Sequence, residues 1–128
     1  MSATALYAVS LTAVAEADLD ELVQYVAERD SPAKAAALLD RILAVAEGLA
    51  VAPQRGTWPR ELLDLGIRDF RQTAFKPYRL ICTVAETPRR EVFIVVIADG
   101  RRDLRTLLER RLLRPPEPDP PGIETDPR

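Results

Sequence analysis

Val92-Phe93-Ile94-Val95-Val96-Ile97 is apolar at every position and β-branched at most of them. A strand that faces water on one side alternates apolar and polar residues; this one does not, so it must be a central strand covered on both faces. Its upstream neighbours set the sheet. Tyr78 to Ala85 reads as a strand with Leu80, Cys82 and Val84 on one face and Arg79, Ile81 and Thr83 on the other. Before it, Gly66 to about Phe75 reads as another, closed by the Lys76-Pro77 turn, while Thr87-Pro88-Arg89-Arg90 forms the turn into the central strand. Three strands joined by short turns make a meander. The central one then still lacks a neighbour on its far side, and Leu6-Tyr7-Ala8-Val9-Ser10-Leu11 is the only strand left to supply it.

Two helices fit between the first strand and the meander. Thr12 is a good N-cap, with Glu16, Asp18 and Asp20 placed to favour the helix dipole, and Leu19, Leu22, Val23 and Val26 recur at helical spacing. Ser31-Pro32 restarts the chain as N-cap and first helical residue, and Ala35, Leu38, Leu39, Ile42, Ala46 and Leu49 form a second apolar stripe. The short connection forces an antiparallel hairpin. Pro53 to Leu65 reads as a loop whose Trp58 lids the core. Downstream of the central strand, the basic turn Asp99-Gly100-Arg101-Arg102-Asp103 leads into a helix predicted over 102–113, with Asp103 capping it. The order β-α-α-β-β-β-α, helices as a pair and strands as a run, defines an α+β fold with a helical hairpin on a four-stranded sheet.

The 128 residues make one domain, 1–114, with a tail, 115–128, that holds 6 of the 11 prolines and is expected to be disordered. A net charge of −2 conceals an asymmetry: −5 over residues 1–54, +6 over 55–114 and −3 over 115–128. The basic half can attract a polyanion or an acidic protein, and the acidic tail can either fold back over it or stay free. With no histidine and one cysteine, Cys82, the chain lacks the commonest general base and offers no metal cluster or internal disulfide. No cofactor is expected. Met1 to Ala5 carries no secretory signal and no apolar run approaches the ~20 residues of a membrane span, so a cytoplasmic location is expected.

Taken in order, Tyr7 to Thr12, Ala17 to Leu22, Tyr25-Val26-Ala27, Ser31 to Ala35, Leu65-Gly66-Ile67-Arg68, Pro77-Tyr78-Arg79-Leu80-Ile81 and Gly100-Arg101-Arg102-Asp103-Leu104 resemble the RelE/ParE superfamily of bacterial toxins. The resemblance spans about residues 5–113. It implies a microRNase-like fold, a type II toxin–antitoxin system acting in growth regulation and plasmid stabilisation, and a cognate antitoxin, of ribbon-helix-helix type, as partner. The superfamily holds two chemistries. RelE-like members cut messenger RNA on the ribosome, using lysines on the strand before the Tyr-Arg motif, the arginine of that motif, an arginine of the last turn and an aromatic or histidine near the C-terminus. ParE-like members lack these groups and poison DNA gyrase by a protein–protein contact.

Here Arg79 and Arg101 or Arg102 match the cationic half of the nuclease pattern. The lysine positions fall on Phe70 and Gln72, and the C-terminal aromatic position falls on Leu108. An arginine stays protonated and is a poor base, so such a set binds a phosphate but does not move protons. The resemblance therefore implies a ParE-like gyrase inhibitor. Arg79, Arg101, Arg102 and Arg105 are expected to meet the target, and Leu22, Tyr25, Arg71 and Arg79 the antitoxin, with no catalytic residue assigned. Arg102 is expected either to face that target or to pair with Asp99 or Glu61. The alternative is a RelE-like endoribonuclease using Arg79, Arg102, Arg71, turned inward by a one-residue strand shift, and Tyr78. A third class, an inactive member that only binds antitoxin, stays open.

Overall fold

The computed structural model describes residues 6–113; Met1 to Ala5 and the proline-rich tail, with the expectation that it is disordered, lie outside the described residues. The elements are β1 (Ala8–Leu11), α1 (Ala13–Arg29), α2 (Pro32–Val51), α3 (Arg60–Leu63), β2 (Arg71–Phe75), β3 (Tyr78–Ala85), β4 (Glu91–Asp99) and α4 (Arg105–Leu108), which runs on into a π-helical turn, Glu109–Leu113. The sheet order is β1-β4-β3-β2, with β4 central as its composition requires. β1 joins β4 in parallel, from Ala8 opposite Glu91 to Leu11 opposite Ile94, and β3 pairs antiparallel with both neighbours.

Both helix starts follow their local chemistry. The Thr12 hydroxyl accepts from the Ala15 N–H at 3.2 Å, and that of Ser31 from the Lys34 N–H at 3.1 Å, with Pro32 in the first turn. The hairpin buries Leu19, Leu38, Ile42, Ala46 and Leu49 against Leu80, Cys82, Val92, Ile94 and Ile97 of the sheet. On the opposite face Ile81, Val96 and Ala98 meet Leu62, Leu104 and Leu108. The sheet thus has two coats, the second made by short segments far apart in sequence. Ile97 belongs to the first face although it is an odd number of residues from Ile94. Ile81 lies opposite Val96 and Cys82 opposite Ile94, so Val95 is an unpaired bulge residue that reverses the alternation.

Three expectations are corrected. Residues 53–65 are not all loop: Arg60–Leu63 forms α3, nucleated by the fully buried Leu62. Gly66 does not open a strand. It ends α3 at φ +77°, donating to Leu63 O at 2.8 Å while the Ile67 N–H reaches back to Leu62 O at 3.0 Å. This is a Schellman closure, and Leu62 and Ile67 make its apolar contact. A Cβ at Gly66 would meet nothing within 4 Å, so the cost of Gly66→Ala is backbone strain alone, about 1 kcal/mol of unfolding free energy in a urea titration. Finally, the last helix starts at Arg105, not 102, because Asp99 and Asp103 both spend their carboxylates on the turn before it.

Candidate functional site

The basic turn closes the C-terminal end of β4. The Arg101 side chain donates to both Asp99 oxygens, at 3.0 and 2.7 Å, and its backbone N–H adds a bond of 2.9 Å. These bonds hold the Asp99 carboxyl below the usual aspartate range. Asp103, one residue before the Leu104 N-cap and so outside the helix, accepts the Arg105 N–H at 3.1 Å, and Arg105 reaches Asp64 at 3.3 Å. Arg102 is exposed and, among the described residues, makes no side-chain hydrogen bond or ion pair. Glu61, a candidate partner for Arg102, instead pairs with Arg79.

That second pair is the better buried one. Arg79 and Glu61 meet fork to fork through two bonds of 2.9 Å, with side chains 15% and 17% exposed. Gln72 accepts from Arg79 Nε at 2.7 Å and also from Nη2. The Arg79 hydrogen bonds hold the Glu61 carboxyl below the usual glutamate range. The stem of Arg79 explains Gly100. A Cβ there would stand 2.9 Å from Arg79 Cγ and Cδ and from Pro77 O, so only glycine lets the turn pass so close.

The positions that decide between the two chemistries share this face. Gln72 is consumed by Arg79, Phe70 packs against the second core cluster, and Leu108 is completely buried. Tyr78 belongs to the other side, packed with the hairpin core and 6.1 Å from the Phe75 ring. Arg71 is also turned away. The register sets Gln72 opposite Ile81, so the neighbouring Arg71 points to the other face, not to Arg79. There it donates to the Gln54 and Gly56 carbonyls at 3.3 and 3.0 Å and stacks on Trp58. Trp58 is no core lid. It stands 37% exposed outside both clusters, with the guanidinium carbons of Arg68 and Arg71 at 5.3 and 4.7 Å from its ring centroid.

A different grouping emerges at the free edge of β4. Because β1 ends opposite Ile94, the stretch of β4 from Val95 to Asp99 is paired with β3 on one side but has no strand on its β1 side. A cleft of about 580 Å³ runs along it, lined by Leu22 and Tyr25 of α1, Arg101 and Arg102 of the turn, and Leu107 and Arg110 beyond. Leu22, Tyr25, Arg101 and Arg102 are therefore neighbours, whereas Arg71, Arg79 and Arg105 lie elsewhere. Its floor is fastened by Asp18, a residue whose role sequence reasoning missed. Asp18 accepts the Ile97 N–H at 3.1 Å and pairs with Arg111 at 3.0 Å, while Arg111 donates to Val95 O at 2.8 Å. Together they satisfy edge groups that a longer β1 would have paired.

The architecture is thus a helical hairpin on a four-stranded sheet closed by a basic turn. Residues 9–104 match the family described as ParE toxin of type II toxin–antitoxin system, parDE, and the chain belongs to that family. Among solved structures, a chain of the chromosomal ParDE system from P. aeruginosa superposes with a TM-score of 0.60 at 23% identity, covering 73% of this chain and 96% of that one. A chain of the RelBE2 toxin–antitoxin complex from Mycobacterium tuberculosis gives 0.52 at 23% identity, covering 77% and 97%. No curated protein matches the sequence. No helix among the described residues is long and apolar enough to cross a membrane.

Proposed function

We propose that this ParE-family toxin acts on DNA gyrase by binding, without cleaving RNA, and is neutralised in the cytoplasm by a cognate antitoxin. One observation carries the reading: the face that would cut RNA is chemically closed. Its would-be proton carriers are Phe70, Gln72 and Leu108, and its arginine, Arg79, is tied to Glu61. General acid–base chemistry needs a group that exchanges protons near the working pH, and neither an amide nor an arginine does so. The basic turn contributes Arg102, without an ion-pair partner among the described residues, to the rim of the cleft that also holds Leu22 and Tyr25. Target and antitoxin then use one surface, so neutralisation is occlusion.

The test is a pair of assays on the purified chain. Gyrase supercoiling is expected to fall, and ribosome-bound message to stay intact. Codon-positioned cuts with gyrase unaffected would overturn the proposal, and inertness in both assays, with no growth arrest on induction, would favour the member that only binds antitoxin. Arg102→Ala is expected to weaken gyrase inhibition about tenfold or more, as loss of an unpaired charged contact does, and to leave the urea midpoint unchanged.

A further inference from the structure

The cleft beside β4 holds more charge than its own residues use. Arg111 is committed to Asp18 and Arg101 to Asp99, but among the described residues Arg102 and Arg110 have no carboxylate partner, with Glu21 the one unpaired acid on the wall. Between them lie apolar surfaces: Leu22, Leu107 and Tyr25, the last 56% exposed with Arg29 stacked on its ring. Such a cleft asks for an extended, acidic, partly apolar ligand.

The chain carries one. Residues 114–128, Arg-Pro-Pro-Glu-Pro-Asp-Pro-Pro-Gly-Ile-Glu-Thr-Asp-Pro-Arg, follow directly on the π-helical turn whose Arg110 and Arg111 line the cleft. The family match stops at residue 104, and the P. aeruginosa chain is 96% covered by 73% of this one, so the segment lies beyond what the relatives share. Fifteen residues have a reach of roughly 45 Å at an extension of about 3.1 Å each. Prolines are already restricted in the free chain, so ordering them costs little, and they pack well on an exposed tyrosine.

We propose that this acidic proline-rich segment seats in the β4 cleft of its own chain, its carboxylates Glu117, Asp119, Glu124 and Asp126 meeting Arg102 and Arg110, and its prolines lying on Tyr25. The toxin then carries a weak occupant of the surface assigned above to antitoxin and target. That consequence rests on the functional reading; the seat itself does not.

The experiment places a nitroxide spin label on the full chain at Thr125→Cys. Cys82 will not compete for the label, being buried with its thiol pushed up to about 12. In amide spectra, the oxidised label is expected to abolish the signals of Leu22, Tyr25 and Arg102, and to spare Ala36 and Asp40 on α2. The reduced label serves as fold control. Replacing the four carboxylates (Glu117→Gln, Asp119→Asn, Glu124→Gln, Asp126→Asn) is expected to restore the lost signals. Intact cleft signals, a loss spread evenly over the surface, or a loss that survives neutralisation would each overturn the seat. The gyrase and message assays are independent of this outcome, so the two readings fail separately.

Discussion

Leu108→Ala is expected to remove about 3 kcal/mol of unfolding free energy, a large part of what a domain of this size has. Leu108 is completely buried, packed with Leu62, Ile81, Val96, Ala98 and Leu104 in the coat on the second face of the sheet. Truncation loses the transfer free energy of the side chain and leaves a cavity walled by β3 and β4, which cannot collapse inward. Half of the helix that carries Leu108 is an irregular π turn, so little local structure offsets the loss. Leu107→Ala, at a partly exposed position, is expected to cost less than half as much. Urea titrations of both variants give the comparison. A Leu108 variant within 1 kcal/mol of the parent would mean that the C-terminal segment does not hold this face shut, and the argument against RNA chemistry would lose a main support.

The fold was legible where its causes are local or compositional. Thr12 and Ser31-Pro32 announce helix starts because a cap acts within three residues, and the solid apolar run of β4 dictates a central strand whatever surrounds it. The second coat was hidden because tertiary packing creates it. α3 is one turn long, with no stripe to read, and exists because Leu62 fills a hole on the sheet. Gly66 looks the same whether it opens a strand or ends a helix; only the buried turn before it decides.

The candidate site divided along the same line. That Phe70, Gln72 and Leu108 stand at the positions where the resemblance expects lysines and an aromatic could be read by counting residues from Arg79 and Arg102. Which carboxylate serves which arginine could not. Asp18 looked like a helix-dipole residue, yet its partners stand 79 and 93 residues away. Glu61 was in view as a partner, but for Arg102. Ion pairs of high sequence separation leave no periodic trace, and a helix N-terminus accounts for an aspartate equally well.

Glu61→Gln isolates the pair that closes the would-be nuclease face. The variant keeps the shape and one acceptor but leaves the Arg79 guanidinium, only 15% exposed, without its counter-charge. A loss of about 2 kcal/mol at neutral pH follows from stripping one partner from a poorly hydrated charged pair. The pH dependence identifies the cause. The Arg79 hydrogen bonds depress the carboxyl of folded Glu61, so the unfolded chain binds a proton at higher pH than the native one. The pair's contribution is therefore fully present above about pH 5, where an unfolded glutamate is ionised, and is lost as pH falls through the depressed native value. The parent and the variant are expected to differ most from pH 5 upward and to converge in acid, in urea midpoints measured from pH 3 to 7. A difference that stays constant across that range would assign the loss to packing and leave Arg79 available to a ligand. A difference that closes in acid keeps Arg79 committed to Glu61 and leaves Arg102 as the guanidinium of the basic turn without an ion-pair partner among the described residues, the geometry of a surface that binds rather than a site that cuts.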